Sequence, residues 1–320
     1  MSRSARVLVT GAAGFIGSTL SGCLLAQGRE VVGLDSLDPY YPVEMKRRNL
    51  ASLESSPGFR FVCGDVRDPA TLAAVFAGGP LDGVAHLAAL AGVRPSLERP
   101  AEYADVNVVG SARVFEACVK SGVERVVFAS SSSVYGERLD GEPFRETDLV
   151  ARPISPYAAT KRAGELLAHS FHHGYGLRVV CARIFTAYGP RQRPDLAVRA
   201  FAERILRGEP IPVFGDGKSL RDFTYVGDLV DGLIRALDSD LGFEILNLGA
   251  GRTVTVLEVV ELLERALGRP ARIEWLPRQT GDVSRTWADI GAAGRMLGYA
   301  PRTSLEEGIA KFVEWLETQP

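Results

Sequence analysis

Tyr157 and Lys161 stand four residues apart in Tyr157-Ala158-Ala159-Thr160-Lys161-Arg162-Ala163-Gly164-Glu165, a helix-forming stretch preceded by Pro156, so the two side chains share one helix face. A phenol with its ordinary pKa of about 10 is a poor base near neutrality, but an ammonium group beside it favours the phenolate and makes it usable for general-base work. On its own this pair is a common surface pattern. Its weight comes from Ser130-Ser131-Ser132-Ser133-Val134-Tyr135-Gly136, which leaves the end of an apolar strand and offers hydroxyls to the same substrate oxygen.

At the other end of the chain, Val7-Leu8-Val9-Thr10-Gly11-Ala12-Ala13-Gly14-Phe15-Ile16-Gly17 reads as strand, glycine turn and helix. Gly11 allows the tight turn, Gly14 lets backbone approach a pyrophosphate, and Gly17 brings helix and strand together, with the free N–H groups of the helix start facing the anion. The next strand ends at Asp35, whose carboxylate suits ribose hydroxyls and repels a 2′-phosphate, which favours NAD over NADP. Asp65-Val66 and Leu87-Ala88-Ala89 follow the third and fourth strands at their carboxyl ends, where ligands of open sheets bind. With Phe15, Ile16, Asn107, Tyr157 and Lys161 they complete the expected cofactor contacts. Asp65 equally suits a helix cap.

The elements that must position these groups alternate in a βαβ rhythm. Strands are expected at Arg6 to Thr10, Glu30 to Asp35, Arg60 to Cys63, Gly83 to Leu87, Val126 to Ala129 and Arg178 to Ile184, with helices between them. Continuous apolar strands need both faces covered, so the expected fold is α/β: a Rossmann-type doubly wound parallel sheet. From about Phe185 the chain becomes dense in Pro, Gly and Arg. Residues 1–184 are therefore expected to form the cofactor-binding domain and 185–320 mainly a smaller α/β substrate lobe, with a segment near 222–250, containing the apolar Glu244 to Leu248, rejoining the main sheet.

Composition narrows the partners. With 46% hydrophobic and 24% charged residues and no long uninterrupted apolar stretch, nothing reads as a membrane span, and Met1 to Arg6 does not resemble a removable signal, so a cytoplasmic protein is expected. A net charge of -2 with mixed signs offers no field for nucleic acid. Cys23, Cys63, Cys118 and Cys181 are scattered without metal-ligand spacing, and reduced thiols with no metal are expected.

Taken together, the glycine loop, the serine run and Tyr157-x-x-x-Lys161 resemble the extended short-chain dehydrogenase/reductase family over nearly the whole chain. The resemblance implies that Tyr157 is the base, that Lys161 lowers its pKa and holds the nicotinamide ribose, and that Ser131, or alternatively Ser132, is the catalytic hydroxyl. Dehydratases and decarboxylases of the family carry acidic residues just before Val-Tyr-Gly. Ser132 and Ser133 stand there instead, which favours epimerisation. Asp35 to Tyr41, His86 to Arg94 and Phe185 to Asp195 resemble the family's UDP-glucuronate 4-epimerases, in which the positions of Thr186 and Arg193 hold the sugar carboxylate. An Arg fork and a hydroxyl are suitable partners for that group. Arg94, Phe185, Val213, Arg221, Arg278 and Asp282 complete the substrate contacts the resemblance implies: Ile211 to Gly215 as a uridine shelf, Arg221 on the diphosphate, and Arg278 in place of the Arg that galactose epimerases carry at Gln279. The implied activity is NAD-dependent 4-epimerisation of a UDP-sugar, foremost UDP-glucuronate, through a 4-keto sugar. A UDP-glucose or UDP-N-acetylhexosamine epimerase, a decarboxylase and a non-catalytic NAD-binding sensor are the alternatives. Homodimers through a helix bundle are usual in the family.

Overall fold

The computed structural model describes residues 5–138, 140–277 and 283–319. Seven strands form one parallel sheet: β1 (Arg6–Thr10), β2 (Glu30–Asp35), β3 (Phe59–Cys63), β4 (Gly83–His86), β5 (Arg125–Ser131), β6 (Arg178–Ile184) and β7 (Phe243–Leu248), in the spatial order β7-β6-β5-β4-β1-β2-β3. The expected doubly wound sheet is present. Its central strands alternate between two buried faces. Val7 and Val9 of β1, Val127 of β5 and Val180 and Ala182 of β6 enter one core with Leu20 and Leu24 of helix Phe15–Ala26 and Leu229 and Leu233 of helix Val226–Asp238. Leu8, Val32, Val126, Phe128, Val179 and Cys181 enter the other with Phe115 and Cys118 of helix Gly110–Lys120 and Ala168 of helix Pro156–Tyr175.

A third core lies outside the sheet. Strand Pro210–Phe214 pairs in parallel with Arg272–Leu276, and helices Ala197–Arg207, Val256–Leu267 and Leu305–Glu317 close over Ile211, Val213, Phe201, Leu263 and Phe312. Because β1 is flanked by β2 on one side and β4 on the other, the chain reverses its winding direction there. A crevice opens at the carboxyl ends of strands beside such a reversal.

Candidate active site

A cleft of about 500 Å³ occupies that crevice and is bounded on its outer side by Ile184–Ala187, Arg193 and Leu196. Gly11 turns with φ +73°, and its N–H donates to Leu34 O at 2.7 Å. A Cβ on Gly11 would lie 2.9 Å from Ala88 N, and one on Gly17 only 2.0 Å from Gly11 O, so neither position accepts a side chain. Gly14 caps helix Phe15–Ala26 without any side-chain hydrogen bond, and the first turn holds no acid. Those helix-start N–H groups remain available to an anion.

Asp35 is buried at the end of β2, where it accepts from Ala13 N at 3.1 Å and Leu37 N at 2.8 Å, with Lys46 Nζ 3.8 Å away. Asp65 is gripped by Arg67, the closest bond being 2.7 Å, and this guanidinium holds its carboxyl below the usual range. The helix cap belongs to Asp68, which accepts from Ala70 N and Thr71 N. Val66 and Leu87–Ala91 line the cleft.

The Leu87–Ala91 turn is fastened from beneath. Thr10 Oγ1 accepts from Leu87 N and Ala88 N, both at 3.1 Å, so its own proton goes to His86 Nδ1 at 2.7 Å. His86 Nε2 then donates to Ser111 Oγ at 3.0 Å, and burial pulls the imidazole pKa down to about 3, with the Lys161 charge adding to the effect. Asn107 sits in a π-turn, Asp105–Val109, and is buried. Its side chain accepts from Leu90 N at 2.8 Å and donates to Leu90 O and Thr160 Oγ1, each at 3.0 Å. Asn107 thus ties the turn to the helix that carries Tyr157 and touches no cleft surface of its own.

Pro156 begins helix Pro156–Tyr175, and Ser155 caps it by accepting from Ala158 N. One turn in, Lys161 Nζ donates to Ala129 O at 2.8 Å and lies over the rings of Phe128 and Tyr157 at 5.3 and 5.9 Å. Burial pulls its pKa down to about 7. Burial pushes the Tyr157 phenol up, while a hydrogen bond to Ser131 and the charge of Arg193 pull it back. Between Lys161 and Arg193, the charge of Arg193 is the one that lowers the phenol. Ser131 Oγ reaches Ser133 Oγ at 3.2 Å, and Ser131, Ser132 and Ser133 all line the cleft. Ser130 points away, donating to Glu165 Oε1 at 2.6 Å.

Glu165 anchors a network that sequence reasoning did not find. It accepts from Arg183 Nε and Nη2 at 2.8 and 2.9 Å and from Arg162 Nη1 at 2.8 Å, and Arg183 is stacked on Tyr135 at 4.7 Å. The Arg183–Glu165 pair is fully buried and joins the catalytic helix, β5 and β6 under the serine run.

On the outer wall, Phe185 is buried against Tyr135 and Phe144 and shows an edge to the cleft, while Thr186 and Arg193 line it beside Tyr157. Val213 does not reach it. Strand Pro210–Phe214 alternates, so Ile211 and Val213 are buried in the third core and Phe214 faces outward, under the guanidinium of Arg94 at 5.0 Å. That period-two alternation is the sequence signal for which side chains of the strand are buried. Arg94 and Arg221 stand outside the cleft lining; Arg221 lies in a two-residue strand paired with Val254–Thr255. The neighbouring Asp222 is buried, accepts from Ala250 N, Gly251 N, Ala288 N and Thr224 Oγ1, and is pushed up to about 6 by burial. Arg278 and Asp282 lie outside the described residues. Lys46 is a cleft residue that the sequence reading had not named, and Tyr40 and Ser133, given there only as parts of longer segments, line the cleft as well.

Residues 7–249 match the NAD dependent epimerase/dehydratase family. The chain belongs to that family. A UDP-glucuronate 4-epimerase of Thermodesulfobacterium geofontis is 42% identical over 96% of this chain and 95% of its own length. The crystal structure of the Bacillus cereus UDP-glucuronic acid 4-epimerase, in complex with UDP-glucuronic acid and NAD, superposes with a TM-score of 0.91 at 36% identity over 98% of this chain and 99% of that one. A Thermus thermophilus UDP-glucose 4-epimerase complexed with NAD reaches 0.90 at 36% identity, covering 98% and 100%. The family frame is thus shared by enzymes named for different sugars, and the sugar must be read from the cleft wall.

Proposed function

We propose that this chain is an NAD-dependent enzyme that interconverts UDP-glucuronate and UDP-galacturonate by epimerisation at C4. The observation that carries the sugar assignment is that Arg193 and Thr186 line the same cleft as Tyr157, Lys161 and Ser131, so a cation and a hydroxyl face the reacting centre. The 42% identical relative named for this activity supports it.

The cleft suits NAD on its own chemistry. The open helix start at Gly14, the side-chain-free contacts at Gly11 and Gly17 and the carboxylate of Asp35 match a pyrophosphate and an unphosphorylated ribose. Tyr157 and Lys161 would hold the nicotinamide end. NAD bound there supplies a hydride acceptor that later returns the hydride, so the net redox change is zero.

Tyr157 takes the proton of the sugar 4-hydroxyl as the C4–H bond breaks, and Ser131 donates to the developing carbonyl oxygen, with Ser132 as the neighbouring hydroxyl. The 4-keto sugar must present its other face before Tyr157 returns the proton, with Arg221 holding the diphosphate. A 4-ketouronate is a β-keto acid, and it loses CO₂ when its carboxylate bond aligns with the carbonyl π system. Arg193 and Thr186 restrain that carboxylate away from this alignment.

Exposed Leu97, Val109 and Leu166 on neighbouring helical segments support a homodimer formed through these helices. No helix among the described residues is long and apolar enough to cross a membrane. The purified protein incubated with UDP-glucuronate and followed by proton NMR should give a UDP-glucuronate/UDP-galacturonate mixture. Inert UDP-glucuronate with turnover of UDP-glucose, or formation of a UDP-pentose, would reject the assignment.

A further inference from the structure

Arg193 is not a loose side chain at the cleft wall. A guanidinium offers two hydrogen-bonding edges, Nε/Nη2 and Nη1/Nη2, and only one can be turned to a ligand with the other fixed by the protein. Asp195, two residues on, takes the Nε/Nη2 edge with both carboxylate oxygens, at 3.0 and 2.9 Å. The ring of Tyr40 covers the guanidinium face with its centroid 5.4 Å from Cζ, and its hydroxyl donates to Asp195 Oδ2 at 3.4 Å. Among the described residues nothing hydrogen-bonds Nη1, and Arg193 lines the cleft. Tyr40 follows closely after Asp35 at the cofactor side, and its N–H is held by Asp38 Oδ1 at 2.9 Å. One edge and one face of Arg193 are therefore fixed by two chain segments that meet across the cleft.

We infer that Asp195, with Tyr40, is a positioning residue for substrate specificity: it fixes one edge of Arg193 so that the Nη1/Nη2 edge is presented to the sugar carboxylate. This rests on the reading of Arg193 as the carboxylate partner given above. Asp195 makes the guanidinium a preorganised fork rather than a flexible charge, and the ordering is complete before substrate arrives. Asn in its place keeps one acceptor oxygen but sets an amide N–H against a guanidinium N–H, so the edge is no longer held in register.

The test compares the parent protein, Asp195→Asn, Asp195→Glu and Arg193→Ala, each loaded with NAD and checked for unchanged NAD content and melting temperature. Titration calorimetry with UDP and with UDP-glucuronate is followed by NMR of the products. Asp195→Asn should leave UDP affinity unchanged, weaken UDP-glucuronate by roughly tenfold, the scale of a charge-assisted bond, and raise the share of decarboxylated UDP-pentose. Asp195→Glu, which keeps two acceptor oxygens, should recover part of the loss. UDP-glucuronate bound by Asp195→Asn as tightly as by the parent, or more tightly, would overturn the inference. If Asp195→Asn does not fold, Tyr40→Leu reads the same coupling: a several-fold loss for UDP-glucuronate alone supports it, and an equal loss for UDP or none at all overturns it. Arg193→Ala separates the two layers. Should it bind UDP-glucuronate like the parent, the carboxylate reading itself fails; should it weaken binding while Asp195→Asn does not, only the role of Asp195 fails.

Discussion

Asn107→Ala tests whether the cofactor-facing turn is held by the catalytic helix. The change deletes the bonds to Leu90 N, Leu90 O and Thr160 Oγ1, and strands the two Leu90 groups in a buried site. Three net hydrogen bonds of about 1 kcal/mol each give about 3 kcal/mol, and an unsatisfied buried N–H raises the total toward about 5 kcal/mol. Thr160 keeps its bond to Tyr157 O at 2.8 Å, so the helix itself should stay intact. Urea unfolding followed by circular dichroism should show a destabilisation of about 3 to 5 kcal/mol. NAD retention should fall as well, since Leu87–Ala89 line the cleft. A loss under about 1 kcal/mol with full NAD retention would refute the reasoning, because it would mean that Thr10 Oγ1 holds the turn alone.

Glu165→Gln removes the partner of the fully buried Arg183 and should cost about 3 to 5 kcal/mol in the same urea assay, with mispositioning of Ser131 seen as lower kcat at unchanged UDP affinity. Lys161→Met should abolish turnover yet raise the melting temperature. With the Lys161 pKa depressed to about 7, the burial cost is complete below pH 7, up to about 5 kcal/mol, and fades as pH climbs toward 10.5, so the stability gain should shrink in that window. A Lys161→Met protein that melts lower at pH 7 would contradict this. His86, neutral in the fold with its pKa near 3, takes up a proton only on unfolding once pH falls below 6.5. Stability should therefore drop by about 2 kcal/mol between pH 6.5 and 5 from this residue, and His86→Gln should flatten that slope in urea titrations at each pH.

Much of the sheet was legible because its strands are buried on both faces, and β-branched runs such as Val7 to Val9 and Val179 to Val180 have no other use. Gly11 and Gly17 were readable because the tight backbone contacts they make leave no room for a Cβ. Tyr157 and Lys161 were readable from helical spacing. Contacts that join distant segments were not. Glu165 looks like an ordinary helix acid until β6 brings Arg183 beneath it, and Asp222 like a turn residue until two separate segments point three N–H groups at it. The bonds of Asn107 to Leu90 and Thr160 were not legible, because only the π-turn reveals where its amide points. The burial of the Val213 side chain in the third core follows from the two-residue period of its strand, which was legible in the sequence.

The central claim is that the chain inverts C4 by removing and returning the same hydride while the carboxylate stays attached. UDP-glucuronate deuterated at C4, turned over in ordinary water and read by NMR, tests this most directly. The account predicts UDP-galacturonate that retains deuterium at C4 with no net reduction of NAD. Loss of the label to solvent, or the absence of UDP-galacturonate, would contradict it.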